Sequence, residues 1–379
     1  MKLLKNATIL NDDFQLQKAD ILIDGETICK IGTGLSSPDA EILDFSGKTI
    51  IPGLIDSHTH GCAGVDTCNG SIEDLKTMSR FYASIGVTSF VPTSMTLGTD
   101  TLEKTFRAVA DFIKEGDAPG AYAHGIHMEG PYCSAKKVGA QNPAFLQTPD
   151  VDKFRSLNKC GDNLVKIVVL APELEGSMEF IREISKDITV SIAHSAADYE
   201  TAMEAIANGV THITHLYNAM TPYTHREPGI IGAAYDSDVA CELICDGIHV
   251  HPAVIRSTFR QIGEDRVVFI SDSMEAAGLD EGEYELGGQK VFVKEGAARL
   301  ANGALAGSAT TLMNCVRKAV EFGVPFESAV KAATINPAKE IKADDVTGSI
   351  KAGKFADLVV LNPDLSLDTV FVKGKRFEK

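Results

Sequence analysis

The sequence predicts an α/β fold: a (β/α)8 barrel of the TIM type, with a small β-sandwich domain formed by both chain ends. Three observations predict it. Eight apolar runs alternate with stretches of helical period through the middle of the chain, the signature of a parallel sheet with crossover helices. Short apolar pieces broken by turns occupy both ends. Finally, histidines and carboxylates recur where the runs stop, and such barrels build their sites at the C-terminal ends of the strands.

The first fifty residues alternate Leu3-Leu4, Ala7-Thr8-Ile9-Leu10, Ala19 to Glu26 and Ile28 to Gly32, with Asp24-Gly25 as a hairpin turn. The segments Gly348 to Leu361 and Val370 to Lys375 repeat that texture. The expected division is a small β-sandwich domain from 1–52 and 342–379, and a catalytic barrel over 53–341 with an inserted hairpin near 283–307. The barrel runs are 49–55, 86–93, 121–128, 165–171, 188–193, 209–216, 240–246 and 266–271. Between them 72–85, 101–115, 176–186 and 198–208 carry helix-period apolar residues, with Asp198 or Ser177 able to cap a start. The stretch from Thr221 to Asp236, rich in proline and glycine, predicts an extended loop, and 308–322 with 326–335 read as closing helices.

Composition limits the function classes. At 379 residues, with 44% hydrophobic and 23% charged residues, the chain resembles an ordinary soluble globular protein. Nothing approaches the ~20 consecutive apolar residues of a membrane helix, and the N-terminus lacks a signal peptide's apolar core. Eight cysteines without a Cys-x-x-Cys pair read as reduced thiols of a cytoplasmic protein; Cys241 and Cys245 read as small buried hydrophobes. A formal net charge of −16 argues against nucleic acid or an anionic membrane as partner. An anionic substrate would need local cations.

The chemistry sits at the run ends. His58 and His60 lie at i and i+2 after Thr49-Ile50-Ile51-Pro52-Gly53-Leu54-Ile55, so on a strand both imidazoles face one side and can grip one ion. Glu129 closes the third run, His194 the fifth, His215 the sixth, His249 follows the seventh, and Asp272 ends the eighth. A carboxylate at the end of an apolar strand costs several kcal/mol unless it coordinates a metal or is paired, which favours ligation for Glu129 over a structural role. Asp272 invites the same argument, with a helix cap as its alternative. His124, His127 and His212 read as packing residues.

Together Asp56-Ser57-His58-Thr59-His60-Gly61, His127-Met128-Glu129-Gly130-Pro131, His194-Ser195, His215-Leu216-Tyr217-Asn218-Ala219-Met220, His225-Arg226-Glu227-Pro228-Gly229, Asp246-Gly247-Ile248-His249 and Leu305-Ala306-Gly307-Ser308 resemble the N-acetylglucosamine-6-phosphate deacetylase family of the amidohydrolase superfamily. The terminal segment 348–359 is similar to the superfamily's flanking β-domain. The resemblance implies a metal-dependent hydrolase that converts the acetamido sugar phosphate to glucosamine 6-phosphate and acetate, in amino-sugar catabolism and cell-wall recycling. It implies Glu129, His194 and His215 as main ligands, His58 and His60 at a second position, and Asp272 as general base and acid. One or two divalent ions per subunit, zinc or iron, would be held. Ala140, Gln141, Asn218, Ala219, Arg226, His249, Leu305, Ala306 and Gly307 match substrate contacts. In relatives the arginine reaches in from the neighbouring subunit, which implies a homodimer.

Two departures stand out. Some relatives carry histidine where this chain has Gln141, and a second ion at His58/His60 is our hypothesis for compensation. Ser273-Met274-Glu275 also differs from the usual pattern. Two other readings stay open: a deacetylase for another amino sugar phosphate such as the galactosamine epimer, and a catalytically silent barrel scaffold. Dihydroorotase-like chemistry is disfavoured, because the fourth run ends Val169-Leu170-Ala171-Pro172-Glu173 without the bridging lysine.

Overall fold

The structure, a computed structural model, describes residues 1–116 and 118–378. Eight parallel strands form the barrel: β1 (Leu54–Thr59), β2 (Val87–Ser94), β3 (Ile126–Met128), β4 (Val165–Leu170), β5 (Thr189–Ile192), β6 (His212–Ile213), β7 (Ala240–Ile244) and β8 (Val267–Ile270). Each pairs with the next in sequence. Between β8 and β1 the circle is completed by Asp272 N donating to His58 O at 3.0 Å and Ser271 N donating to Asp56 Oδ1 at 3.1 Å. Every residue of β1, β2, β3 and β5 to β8 is buried, as parallel strands covered on both faces must be.

Helices Ile72–Ser84, Thr99–Glu115, Val151–Cys160, Ser177–Ile184, Tyr199–Ala207, Gly229–Tyr235 and Pro252–Ile262 follow the first seven strands, and Leu312–Glu321, Phe326–Ala332 and Ile335–Glu340 close the ring. Asp198 caps its helix by accepting from Thr201 N at 2.8 Å. Ser177 does not cap: Gly176 takes that position, and the Ser177 hydroxyl donates to Ala171 O at 3.0 Å. The expected loop over 221–236 is a loop only in its first half. Gly229–Tyr235 is helical, because a proline is harmless just before a first turn and Ile230, Ile231, Ala233 and Ala234 have a core to enter.

Both chain ends share one eight-stranded sheet, ordered Lys375–Arg376, Leu367–Val372, Leu358–Leu361, Thr49–Pro52, Lys2–Leu10, Leu16–Asp24, Thr27–Gly32. Lys2–Leu10 also pairs with Glu41–Asp44 along its first half. Leu4, Ile9, Ile21, Ile50, Leu358, Val360 and Phe371 form a core separate from that of the barrel. The apolar run 49–55 therefore divides: Thr49–Pro52 belongs to the terminal sheet, and the barrel strand begins at Leu54. An uninterrupted apolar run cannot distinguish one buried strand from two in succession. Gly53 makes the corner, where a Cβ would stand 2.1 Å from Thr88 Oγ1.

The insertion is a three-stranded antiparallel meander, Gly282–Leu286, Gln289–Lys294 and Ala297–Leu300. Its Leu286, Val291, Ala298 and Leu300 pack with Met95, Ala140, Met274 and Ala306. That contact seats it over the end of the barrel where the strands finish. Among the described residues no helix is long and apolar enough to cross a membrane, and all eight cysteines are unpaired.

Candidate active site

His58 and His60 leave β1 on one face, as the two-residue period of a strand requires. His194, His215 and Asp272 each sit two residues beyond a strand end, with φ of 45°, 33° and 49°. That left-handed backbone is unfavourable for residues other than glycine, and it clusters at functional sites. The same turn thus recurs on β5, β6 and β8. Glu129 follows β3 directly.

These six side chains converge. Glu129 Oε1 lies 3.1 Å from His194 Nε2 and 2.9 Å from His215 Nε2, and those two nitrogens face each other at 3.2 Å. On the other side, His60 Nε2 stands 3.3 Å from Glu129 Oε2 and 3.2 Å from Asp272 Oδ1. His58 Nε2 is 3.4 Å from His60 Nε2 and 3.5 Å from Asp272 Oδ1. Two facing imidazole nitrogens can share at most one proton, and here two such pairs surround buried carboxylates. A cation in either place would accept the facing lone pairs that no second proton can. Within this ring, Glu129, His194 and His215 form one set able to hold a divalent ion, and His58, His60 and Asp272 another.

The electrostatics agree with an ionised ring. Burial opposes the charge on Glu129, yet His58 and the bonds from His194 and His215 hold its carboxyl well below the ordinary range. Burial likewise opposes charge on Asp272, and His58 and His60 hold that carboxyl below its usual value.

Gln141 belongs to this ring as a support. Its Nε2 donates to Glu129 Oε2 at 2.7 Å and its Oε1 accepts from Thr96 N at 2.7 Å. The departing segment Ser273-Met274-Glu275 also has a structural use. Ser273 Oγ donates to Gly61 O at 2.8 Å, Met274 enters the core under the insertion, and Glu275 Oε1 accepts from Glu285 N.

Beneath the ring lies a second polar layer. Glu242, fully buried in β7, accepts from His58 Nδ1 at 2.8 Å and from His215 N at 3.2 Å through the same Oε2. His127 Nδ1 meets Ser57 O at 2.9 Å and His212 Nδ1 meets Ser191 Oγ at 3.0 Å. The sequence reading assigned Glu242 no role. A carboxylate in the middle of the apolar run 240–246 was the available signal.

Above the ring opens a cavity of about 440 Å³. Ala140, Gln141, Asn218, Ala219, His249, Leu305 and Gly307 line it together with His60, Glu129, His194, His215 and Asp272. His249 is oriented by Asp246, whose Oδ2 is 2.7 Å from its Nδ1. Ala306 is fully buried in the core behind the wall. Arg226 is exposed and does not line the cavity. Among the described residues, Arg299 of the insertion is the one guanidinium or ammonium on the wall, anchored by its Nη1 to Gly303 O at 2.8 Å. No spacing rule pointed to it. A cavity of about 450 Å³ between Tyr122, Lys373 and Arg376 contains none of the ring residues.

A parallel barrel that gathers buried imidazoles and carboxylates at the C-terminal ends of its strands defines a metal-dependent hydrolase. The amidohydrolase family model matches residues 49–377, and the chain belongs to that family. It is 33% identical to an N-acetylglucosamine-6-phosphate deacetylase of Lysinibacillus sphaericus, over 98% of this chain and 97% of that one. It is 35% identical to an N-acetylgalactosamine-6-phosphate deacetylase of Escherichia coli, over 96% and 94%. The crystal structure of N-acetylglucosamine-6-phosphate deacetylase from Pasteurella multocida superimposes with a TM-score of 0.93 at 29% identity, covering 99% of both chains. The resemblance read from the motifs therefore extends over nearly the whole chain.

Proposed function

We propose that this chain hydrolyses the acetamide of N-acetyl-D-glucosamine 6-phosphate to D-glucosamine 6-phosphate and acetate. The observation that carries the reading is the sharing of one Glu129 oxygen between His194 and His215, with Asp272 beside them at the floor of the cavity of about 440 Å³. Glu129, His194 and His215 would hold the main ion, and His58 and His60 would complete a second position. Zinc or iron suits the imidazole-rich set. When bound, such an ion supplies Lewis acidity that brings the pKa of a water it holds to ~7.

The protein's own residues do the rest. The Asp272 carboxylate takes a proton from the attacking water and returns it to the amide nitrogen, which leaves as an amine only when protonated. Asn218, Ala219 and His249 hold the phosphate end, Ala140, Leu305 and Gly307 shape the sugar pocket with Ala306 packed behind them, and Gln141 orients Glu129. Arg226 reaches the active site of a neighbouring subunit in a homodimer, in the cytoplasm. The experiment is acetate release from the sugar phosphate with and without a chelator: metal-dependent release supports the reading, and its absence in metal-loaded protein ends it. The galactosamine epimer is the second reading, supported by the relative that bears that name, and the same assay ranks the two substrates. A silent scaffold is disfavoured, since none of the six ring residues is missing.

A further inference from the structure

We propose that Glu242 is a positioning residue for metal binding: its carboxylate fixes the His58 ring with Nε2 turned to the ion, and ties that ring to the backbone of His215. The inference rests on the reading above that His58 holds metal. It concerns a residue outside the cavity.

The argument is one of protons. A neutral imidazole carries a single N–H, and Nε2 can donate its lone pair to a cation only if that hydrogen is on Nδ1. An N–H buried in a barrel must meet an acceptor. Glu242 Oε2 stands 2.8 Å from His58 Nδ1, with both residues fully buried. The tautomer required for ligation is therefore the one this contact selects. Among the described residues, His58 is the one ring imidazole whose outer nitrogen meets a carboxylate within hydrogen-bonding distance. The corresponding atom of His194 meets the carbonyl of Lys137 at 3.0 Å, and among the described residues those of His60 and His215 make no hydrogen bond. A carboxylate behind a ligating histidine raises its basicity and fixes its plane.

The same oxygen accepts from His215 N at 3.2 Å. His215 has a left-handed backbone at φ 33°, so this bond helps hold it there. One carboxylate oxygen on β7 thus links a ring member on β1 to one just beyond β6. Glu242 Oε1 stands 3.8 Å from His212 Nε2, beyond hydrogen-bonding reach.

The test uses Glu242→Gln, which keeps the size but removes the charge and, carrying both an oxygen and an NH2, no longer selects between the two tautomers of His58. Metal content by elemental analysis and metal affinity by chelator competition are measured for wild type, Glu242→Gln, His58→Ala and the double variant. The expected result is a 10–100-fold loss of affinity in Glu242→Gln, the range seen when such partners are removed, with the melting temperature of the chelator-stripped protein near that of wild type. The double variant should lose no more than His58→Ala alone. Unchanged affinity in a folded Glu242→Gln protein would overturn the proposal, as would a full additional loss in the double variant. Should the variants fail to fold, 15N NMR of the wild-type protein loaded with zinc decides: the proton must reside on Nδ1 of His58, and a proton on Nε2 overturns the inference. Because these readouts need no substrate, a metal-binding wild type that releases no acetate defeats the proposed function and leaves this inference standing.

Discussion

Gln141 donates its amide to Glu129 Oε2 at 2.7 Å while its own oxygen accepts from the backbone of Thr96. Both ends of this side chain are therefore committed, one of them to orienting the central carboxylate. Gln141→Ala is expected to weaken metal retention by about tenfold or more, with a fall in kcat larger than the rise in KM. Chelator competition combined with steady-state kinetics checks this. A rise in KM alone, with metal content intact, would make Gln141 a substrate contact instead.

Asp272 has its carboxylate against His58 and His60 and borders the cavity. Asp272→Asn keeps the shape and removes the proton acceptor. Loss of general acid–base catalysis is worth about 10²–10⁴ in rate, so kcat should drop by that factor while the sugar phosphate still binds. An equilibrium titration of the variant with substrate measures the second half of this expectation, and retention of full turnover would remove Asp272 from the mechanism.

The phosphate end can be assigned by two arginines. Arg299 lines the cavity of its own chain, whereas Arg226 is exposed. Arg299→Ala should raise KM for the phosphorylated sugar about tenfold or more, as expected for a charge-assisted bond worth ~1.5–3 kcal/mol, and should change turnover little. If Arg226 serves the neighbouring subunit, Arg226→Ala mixed with Asp272→Asn recovers activity that neither variant has alone. No recovery on mixing would argue against a shared site.

Burial, with His58 alongside, pushes the His127 imidazole down to about 3. In the unfolded chain the group titrates near ~6.5. Between those values the unfolded state binds a proton that the native state refuses, so stability rises with pH across the window and is lost as pH falls. In chelator-stripped protein, His127→Gln should therefore flatten the stability profile between pH 6.5 and 3 by up to one proton. Denaturant melts at several pH values give both slopes, and equal slopes would refute the assignment.

Gly53 joins the terminal sheet to β1, where a Cβ would stand 2.1 Å from Thr88 Oγ1 and 2.4 Å from its Cγ2. Gly53→Ala should cost about 1–3 kcal/mol by overpacking. Adding Thr88→Ala should recover much of that loss. Urea denaturation of the three variants would show whether the coupling exists.

Much of the barrel was legible because its evidence is local. Strands β3 to β8 lie within the apolar runs and β2 passes its run by Ser94 alone, since burial on both faces leaves an apolar stretch bounded by turn residues. The ring residues stood out because histidine, glutamate and aspartate are rare at the ends of such stretches. The break at Gly53 was hidden inside one continuous run. Gly229–Tyr235 looked like a loop because proline and glycine mark turns on average, and only the available core made it a helix.

The sequence by itself determined which donors exist and that they fall at strand ends, since chemistry and period are properties of neighbouring residues. Only the tertiary structure decided which donors share an ion. His194 and His215 stand 65 and 86 residues from the Glu129 oxygen between them, and closing the strands into a ring sets that encounter. Arg299 on the cavity wall and Glu242 beneath the ring follow the same rule. Their roles arise from what folding brings within 3 Å or so, and a linear pattern carries no record of such distances.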